Sequence, residues 1–205
     1  PVFTNLKMKQ LLNEEMCQLP KVEVATESKD VLFFEYLKVL HQIVFRGGTK
    51  HLKSVGRFIV EFMKFQNKDG RFPLYYHHHA HALRLLMELG MGDNRHVDRG
   101  LQWVLKRQRD DGGWLHRANV PKGENYSKLQ SCIWTTAEIA LLISIKKGYR
   151  KSDELKNACE FLFKNQELDN KSTLFPERNS WNKFSTAADP VMMFAGGTLK
   201  VLKIL

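Results

Sequence analysis

Apolar residues recur along this chain at the spacing of one helix face and predict about eight helices. The most apolar of these begins at Asp30, a candidate N-cap, and carries Phe33, Leu37 and Leu40 at intervals of three or four residues. The other predicted helices cover residues 4–17, 51–66, 76–89, 95–108, 132–146, 153–166 and 187–205. Such a pattern is typical of an all-α protein.

Three of these predicted helices end in the same short motif. It consists of a Gln, an Asp three residues later, a Gly directly after the Asp and an aromatic residue two positions beyond; residues 66–72 and 108–114 are its two full copies. In the third copy, Asn170 takes the place of the Gly. This position is predicted to adopt the left-handed backbone conformation, which Gly adopts without steric cost and Asn next most readily. We therefore interpret the Gln, Asp and aromatic residues as parts of a turn before any catalytic role.

The helices also repeat in pairs. Ala82 and Gly90 recur at one constant offset as Ala140 and Gly148. Helix-pair units of this kind bury their apolar faces against neighbouring units. We therefore predict a single domain of about four helix pairs over residues 1–205.

The second copy of the motif, Gln-Arg-Asp-Asp-Gly-Gly-Trp at residues 108–114, resembles the QW repeat of squalene–hopene cyclases and related triterpene cyclases. Residues 134–142 resemble the inner helix that follows that repeat, and the same class of repeat occurs in the β-subunits of protein prenyltransferases. The resemblance implies an α/α toroid, in which inner and outer helices alternate around a central cavity. Because only about four pairs are present, it allows a toroid or an open arc, and a homodimer is one way to complete a ring.

The catalytic signatures of those families are absent from the sequence. It contains no Asp-x-Asp-Asp string, no Asp-Asp-x-x-Asp string and no Asp-x-Cys pair of the kind that holds zinc in prenyltransferases. The resemblance therefore predicts the fold and leaves open whether the chain is an enzyme. No cofactor is identified by the sequence.

In a toroid the N-terminal ends of the inner helices rim the cavity, and the first such end is rich in histidine. His77 and His81 share a helix face, a spacing that can bind a metal, but no third ligand is evident, so no metal is predicted. A polar aromatic cluster that binds a ligand through Tyr76, His78 and His81 is the preferred interpretation. His77 is a candidate catalytic residue, and histidines that only bond neighbouring loops are the alternative.

The second end carries Trp134 and Glu138. If Glu138 faces the cavity, its pKa should rise and it could act as a catalytic acid; the alternative is an ion pair with a neighbouring helix. Trp134 could bind a ligand or pack in the core.

The third end carries Trp181, Phe184 and Asp189. Asp189 precedes a proline, which suits helix capping, and a catalytic carboxylate in the cavity is the other interpretation. Trp181 and Phe184 are candidate ligand-binding residues on the same reasoning as Trp134.

Net charge, hydropathy and cysteine content limit the classes of ligand and the cellular compartment that the sequence favours. The net charge of +10 favours a ligand with an anionic group, but the basic residues are spread along helices, so no nucleic-acid site is predicted. No apolar run has the length of a transmembrane segment, and no secretory leader is evident. Three scattered cysteines fit reduced thiols in a cytoplasmic protein.

Three classes of function remain. The preferred one is a toroid protein that binds, and in one version transforms, an isoprenoid or other apolar small molecule with an anionic group. The alternatives are a non-catalytic repeat scaffold that binds a protein partner, and an α/α protein that acts on acidic polysaccharide.

Overall fold

The structure is a computed structural model that describes residues 29–45, 53–116, 125 and 129–165. These residues form α-helices and no strand, which confirms the all-α prediction. The helices are α1 (Lys29–Phe45), α2 (Lys53–Met63), α3 (Tyr76–Leu86), α4 (Arg95–Leu105), α5 (Ile133–Ile145) and α6 (Asp153–Lys164). The segment Met87–Met91 follows α3 and contains a kink at Gly90, whose φ is 81°. None of these helices is long and apolar enough to cross a membrane. The helices predicted over 4–17 and 187–205 lie outside the described residues.

The helix starts agree with the sequence in most details. Asn94 caps α4 by accepting a hydrogen bond from the N–H of His96 at 2.9 Å, and Ser152 caps α6. The prediction that Asp30 is the N-cap of α1 is wrong by a small margin, because α1 begins at Lys29. Asp30 lies in the first turn, where its negative charge interacts favourably with the positive end of the helix dipole.

The helices alternate between two rows. In the inner row, α3 packs between α1 and α5; in the outer row, α2, α4 and α6 pack against the inner helices that precede them, α1, α3 and α5. Apolar side chains from both rows fill the space between them, and Phe33, Phe62 and Leu101 are almost completely buried there. The two-row arrangement leaves one side of each inner helix uncovered by the outer row.

The two described copies of the motif form the predicted turns. Gly70 and Gly112 have φ of 101° and 86°, in the left-handed region. The carboxylates of Asp69 and Asp111 each accept a hydrogen bond from the backbone N–H two residues on, at 3.1 and 2.9 Å. These observations confirm the turn chemistry for both copies; the third copy lies outside the described residues.

The Gln of each motif joins its turn to the next unit. The amide of Gln66 donates to the carbonyl of Gly70 at 2.8 Å and to that of His96 at 2.9 Å. Gln108 donates in the same way, to the carbonyl of Gly112 at 2.9 Å and to that of Glu154 at 2.8 Å. His96 and Glu154 are the second residues of α4 and α6, so both turns hold the next outer helix at the same place.

A buried histidine connects the first turn to both rows. His79 of α3 is 1% exposed, its Nδ1 accepts from the N–H of Phe72 at 3.1 Å, and its Nε2 donates to the carbonyl of Gly100 at 2.9 Å. Burial lowers the pKa of His79 to about 4, because a charged imidazole would lose its hydration and Nδ1 would lose its role as acceptor.

We expect His79 to make the protein sensitive to acid. The pKa of this histidine in the unfolded chain is about 6.5. Between about pH 6.5 and pH 4 the unfolded state therefore binds a proton that the folded state does not bind. The free energy of unfolding falls as the pH drops through this range. The loss amounts to about 3 kcal/mol between pH 7.5 and pH 4.

Urea denaturation at several pH values measures this loss. His79→Asn keeps an acceptor for the Phe72 N–H, so this variant should be less stable at pH 7.5 but should lose about 3 kcal/mol less than the unmodified protein on acidification. Equal pH dependence in the two proteins would show that another group controls the acid response.

Candidate functional site

Within the described ranges, the side of the inner row that the outer row leaves uncovered forms one continuous surface, which we call the inner face. On each inner helix, the half-buried and exposed side chains fall at helical spacing, and contacts between helices join them. The inner face comprises Phe34, Lys38 and His41 of α1, His77, His78, His81 and Arg84 of α3, Glu88 of the segment Met87–Met91, and Trp134, Leu141 and Ile145 of α5, together with the buried Glu138 of α5, which contacts Arg84. Its character changes along the helices, from aromatic at their starts to charged further along.

Four rings pack together where α3 begins. Tyr75 stacks on His77 and on His116, with ring centroids 5.5 and 4.8 Å apart, and the centroids of His77 and His116 are 5.1 Å apart. His78 completes this ring cluster, 4.1 Å from His77. Imidazole rings concentrated in this way can bind an anion when protonated, or can stack on a planar group.

The ring cluster lies at the starts of two inner helices. His116 contacts Cys132, the N-cap of α5, with 3.9 Å between Nδ1 and Sγ. The rings of Phe34 in α1 and His78 pack in an edge-to-face arrangement, with their centroids 5.6 Å apart. The N-terminal ends of α3 and α5 therefore converge beside the ring cluster. Backbone N–H groups and the helix dipole make such ends favourable for negative charge.

Further along the inner face, Arg84 organises a second group of polar side chains. Its Nε donates to Oε1 of Glu138 at 3.3 Å, its Nη1 to Oε1 of Glu88 at 2.5 Å, and its Nη2 to Nδ1 of His81 at 3.0 Å. The side chain of Glu138 is only 2% exposed and that of Arg84 is 21% exposed. We call His81, Arg84, Glu88 and Glu138 the arginine cluster; it joins α3 to α5.

These contacts fix the proton of His81. Its Nδ1 lies 3.0 Å from Nη2 of Arg84 and 3.5 Å from Oε1 of Glu138. A guanidinium can only donate, so Nδ1 must accept from Arg84, and the longer distance to Glu138 is not a hydrogen bond from the imidazole. The ring proton of His81 is therefore on Nε2.

His41 of α1 stands beside this group. Its ring centroid is 5.4 Å from that of His81. Burial, followed by the neighbouring His81 and Arg84, lowers the pKa of His41.

The predicted site residues of the second half of the chain divide into two groups. Trp181, Phe184 and Asp189 lie outside the described residues. Trp134 is half-buried at the start of α5, on the inner face. Glu138 forms an ion pair with a neighbouring helix, one of the two arrangements that the sequence allows.

The predicted residues of the first half divide between the two sides of α3. His77, His78 and His81 are half-buried on the inner face. Tyr76 is 3% exposed and packs between the rows, with its ring 5.3 Å from that of Trp103. The phase of the helix explains the difference, because Tyr76 shares its face with the buried residues Ala80 and Leu83.

Sequence reasoning missed Tyr75, His116, Arg84 and His41. His116 lies in the connection between α4 and α5, where no periodicity predicts its position. Arg84 carried a usable signal, because His77, His81, Arg84 and Glu88 form a polar stripe at helical spacing on an otherwise apolar helix.

The histidines of α3 do not share a metal-like geometry. His77 stacks in the ring cluster, whereas Nδ1 of His81 is occupied by Arg84. Within the described ranges, no three His, Cys, Asp or Glu side chains are grouped so that they could hold a metal ion.

No protein-family model and no curated protein sequence matches the chain. The structure is similar to that of ent-copalyl diphosphate synthase from Streptomyces platensis, with a TM-score of 0.51 and 20% sequence identity. The similarity covers 89% of this chain and 34% of that enzyme, so the chain spans about a third of the enzyme's length. At this identity the similarity shows a terpenoid cyclase-like helical fold, and the fold alone.

Proposed function

We propose that the chain binds an isoprenoid, or another apolar molecule with an anionic group, on the inner face. The observation that carries the proposal is the combination, on one surface that the outer helices leave uncovered, of exposed apolar side chains with the ring cluster at two helix N-termini. The terpenoid cyclase-like fold supports the proposal, since inner helices surround the cavity in the α/α toroid that the sequence resembles.

The apolar side chains would hold the hydrocarbon part. Phe34 is 41% exposed and Ile145 is 38% exposed, and Trp134 and Leu141 are half-buried between them along the row. Covering such side chains with an apolar molecule removes their surface from water, which favours binding by about 25 cal/mol per Å².

The anionic group would bind either at the ring cluster or beside the cations further along the inner face, and the ring cluster is the better place. The cations elsewhere on the inner face already have carboxylate partners: Lys38 lies 2.6 Å from Glu35, and Arg84 contacts Glu88 and Glu138. At the ring cluster, the imidazoles and the N-terminal ends of α3 and α5 would act together on a negative charge.

Transformation of the ligand stays a separate hypothesis. His77 of the ring cluster and Glu138 are the described candidates for proton transfer, and Asp189 is the third candidate from the sequence. Glu138 accepts a hydrogen bond from Arg84, so among the described residues His77 is the better candidate proton donor.

Farnesyl diphosphate, an isoprenoid with one anionic end, tests the binding. We expect Phe34→Ala to raise its Kd about fivefold, because the side chain is removed from the surface that would cover the ligand. Phe163→Ala is the matched control: Phe163 is 52% exposed on the outer helix α6, so its loss should leave the Kd unchanged. Isothermal titration calorimetry measures both values.

The anionic end has its own variant. The double change His77→Gln and His78→Gln should weaken farnesyl diphosphate binding and leave farnesol binding unchanged. An unmodified protein that binds neither compound would contradict the proposal and favour the scaffold alternative. Equal losses in Phe34→Ala and Phe163→Ala would contradict the location on the inner face.

A further inference from the structure

The arginine cluster carries more negative than positive charge. Arg84 carries one positive charge, and the two carboxylates that it contacts, Glu88 and Glu138, supply more than one compensating negative charge. A second anion is therefore disfavoured at this part of the inner face, which suits a neutral group instead.

One donor of the cluster remains directed at no described group. Because Nδ1 of His81 accepts from Arg84, its only N–H is on Nε2, and none of the described side chains or carbonyls accepts from it. The side chain of His81 is 26% exposed, so a ligand on the inner face can reach it.

The surroundings of His81 favour a neutral hydrogen bond. The ring of His41 lies 5.4 Å away, and burial above all lowers its pKa, which disfavours a positive charge on this neighbour. The other charged groups that face His81 are Arg84, Glu88 and Glu138, whose two carboxylates outweigh the one guanidinium and so disfavour an anionic ligand group there. His81 is three residues beyond His78, so its donor lies roughly one helical turn, about 5 Å, from the ring cluster.

Resting on the proposed function, we propose that His81 is a specificity-determining residue whose Nε2–H donates to a neutral hydroxyl or carbonyl oxygen of the ligand. Arg84 is the positioning residue, since it holds His81 in the tautomer that places the proton on Nε2. The inner face therefore selects an oxygenated isoprenoid over a pure hydrocarbon of the same length.

Farnesol and farnesene, two C15 isoprenoids of which only farnesol carries a hydroxyl group, measure this selectivity as the ratio of their Kd values in the same cyclodextrin-containing buffer. We expect His81→Phe, which keeps a ring but has no donor, to reduce the preference for farnesol about fivefold, the usual value of one hydrogen bond. His81→Gln supplies an N–H at a similar distance and should restore the ratio to within about twofold.

The ratio separates this inference from general damage to the surface. Phe163→Ala should bind both compounds with the unmodified ratio, and a thermal melt of each variant controls for folding. An unchanged ratio in His81→Phe overturns the inference while leaving the proposed function in place. Loss of the preference in the His77 and His78 variants alone also overturns it, because the hydroxyl would then bind at the ring cluster. Failure of both compounds to bind the unmodified protein overturns the proposed function itself.

Discussion

Replacing Gly112 by Ala is expected to destabilise the protein by about 4 kcal/mol, whereas the same change at Gly148 should cost only about 1–2 kcal/mol. The two glycines have nearly the same φ, 86° and 89°, so both variants carry the strain of a left-handed alanine. A Cβ on Gly112 would also lie 2.3 Å from the carbonyl oxygen of Asn157 in α6, but a Cβ on Gly148 meets nothing within 4 Å. Urea denaturation of the two variants isolates this steric contribution.

The obstacle at Gly112 is the backbone of a helix, which cannot move aside as a flexible side chain can. The added methyl group must separate the turn from α6 and stretch the hydrogen bond between Gln108 and Glu154. Equal destabilisation of the Gly112 and Gly148 variants would mean that α6 shifts away from the turn at little cost.

Replacing Arg84 by Leu is expected to cost about 4 kcal/mol, because it removes one member of an ion pair whose other member, the Glu138 carboxylate, is only 2% exposed. The double variant Arg84→Leu and Glu138→Leu removes both charges and should recover most of that loss. Glu88→Ala is the control: its side chain is 37% exposed, so loss of its contact with Arg84 should cost less than about 1 kcal/mol.

A double-mutant cycle by chemical denaturation checks the coupling of Arg84 to Glu138. If the two single losses simply add, the pair does not interact in solution as its geometry implies. A large favourable coupling would establish Glu138 as part of the link between α3 and α5, which any catalytic role for this residue must accommodate.

Local features of the fold could be predicted from sequence because neighbouring residues determine them. The spacing of apolar residues predicted the described helices to within a few residues, and the positions after Asp69 and Asp111 were recognisable as glycines that must adopt positive φ. The hydrogen bond from the Gln108 amide to the carbonyl of Glu154 was not predictable in the same way, since it joins residues 46 positions apart.

The candidate site was only partly predictable, for the same reason. Glu138 and His81 were recognisable as polar residues on apolar helices, but the choice between acid and ion pair depended on Arg84, 54 residues before Glu138. Tyr76 was assigned to the site by its neighbours in sequence, although the phase of the helix places it in the core. His116 lies in a connection whose path no periodic pattern determines.

The hydrogen bond from each Gln to the following outer helix bears on which insertions such a chain can accept during evolution. Gln66 reaches across 30 residues and Gln108 across 46, yet each holds the second residue of the next outer helix at nearly the same distance. The pitch of the array is therefore set at its periphery, by an amide and a carbonyl, and does not depend on the length of the chain between them. Segments that enter the inner row, such as the one that carries His116, are free to lengthen and diversify while the frame around them keeps its geometry.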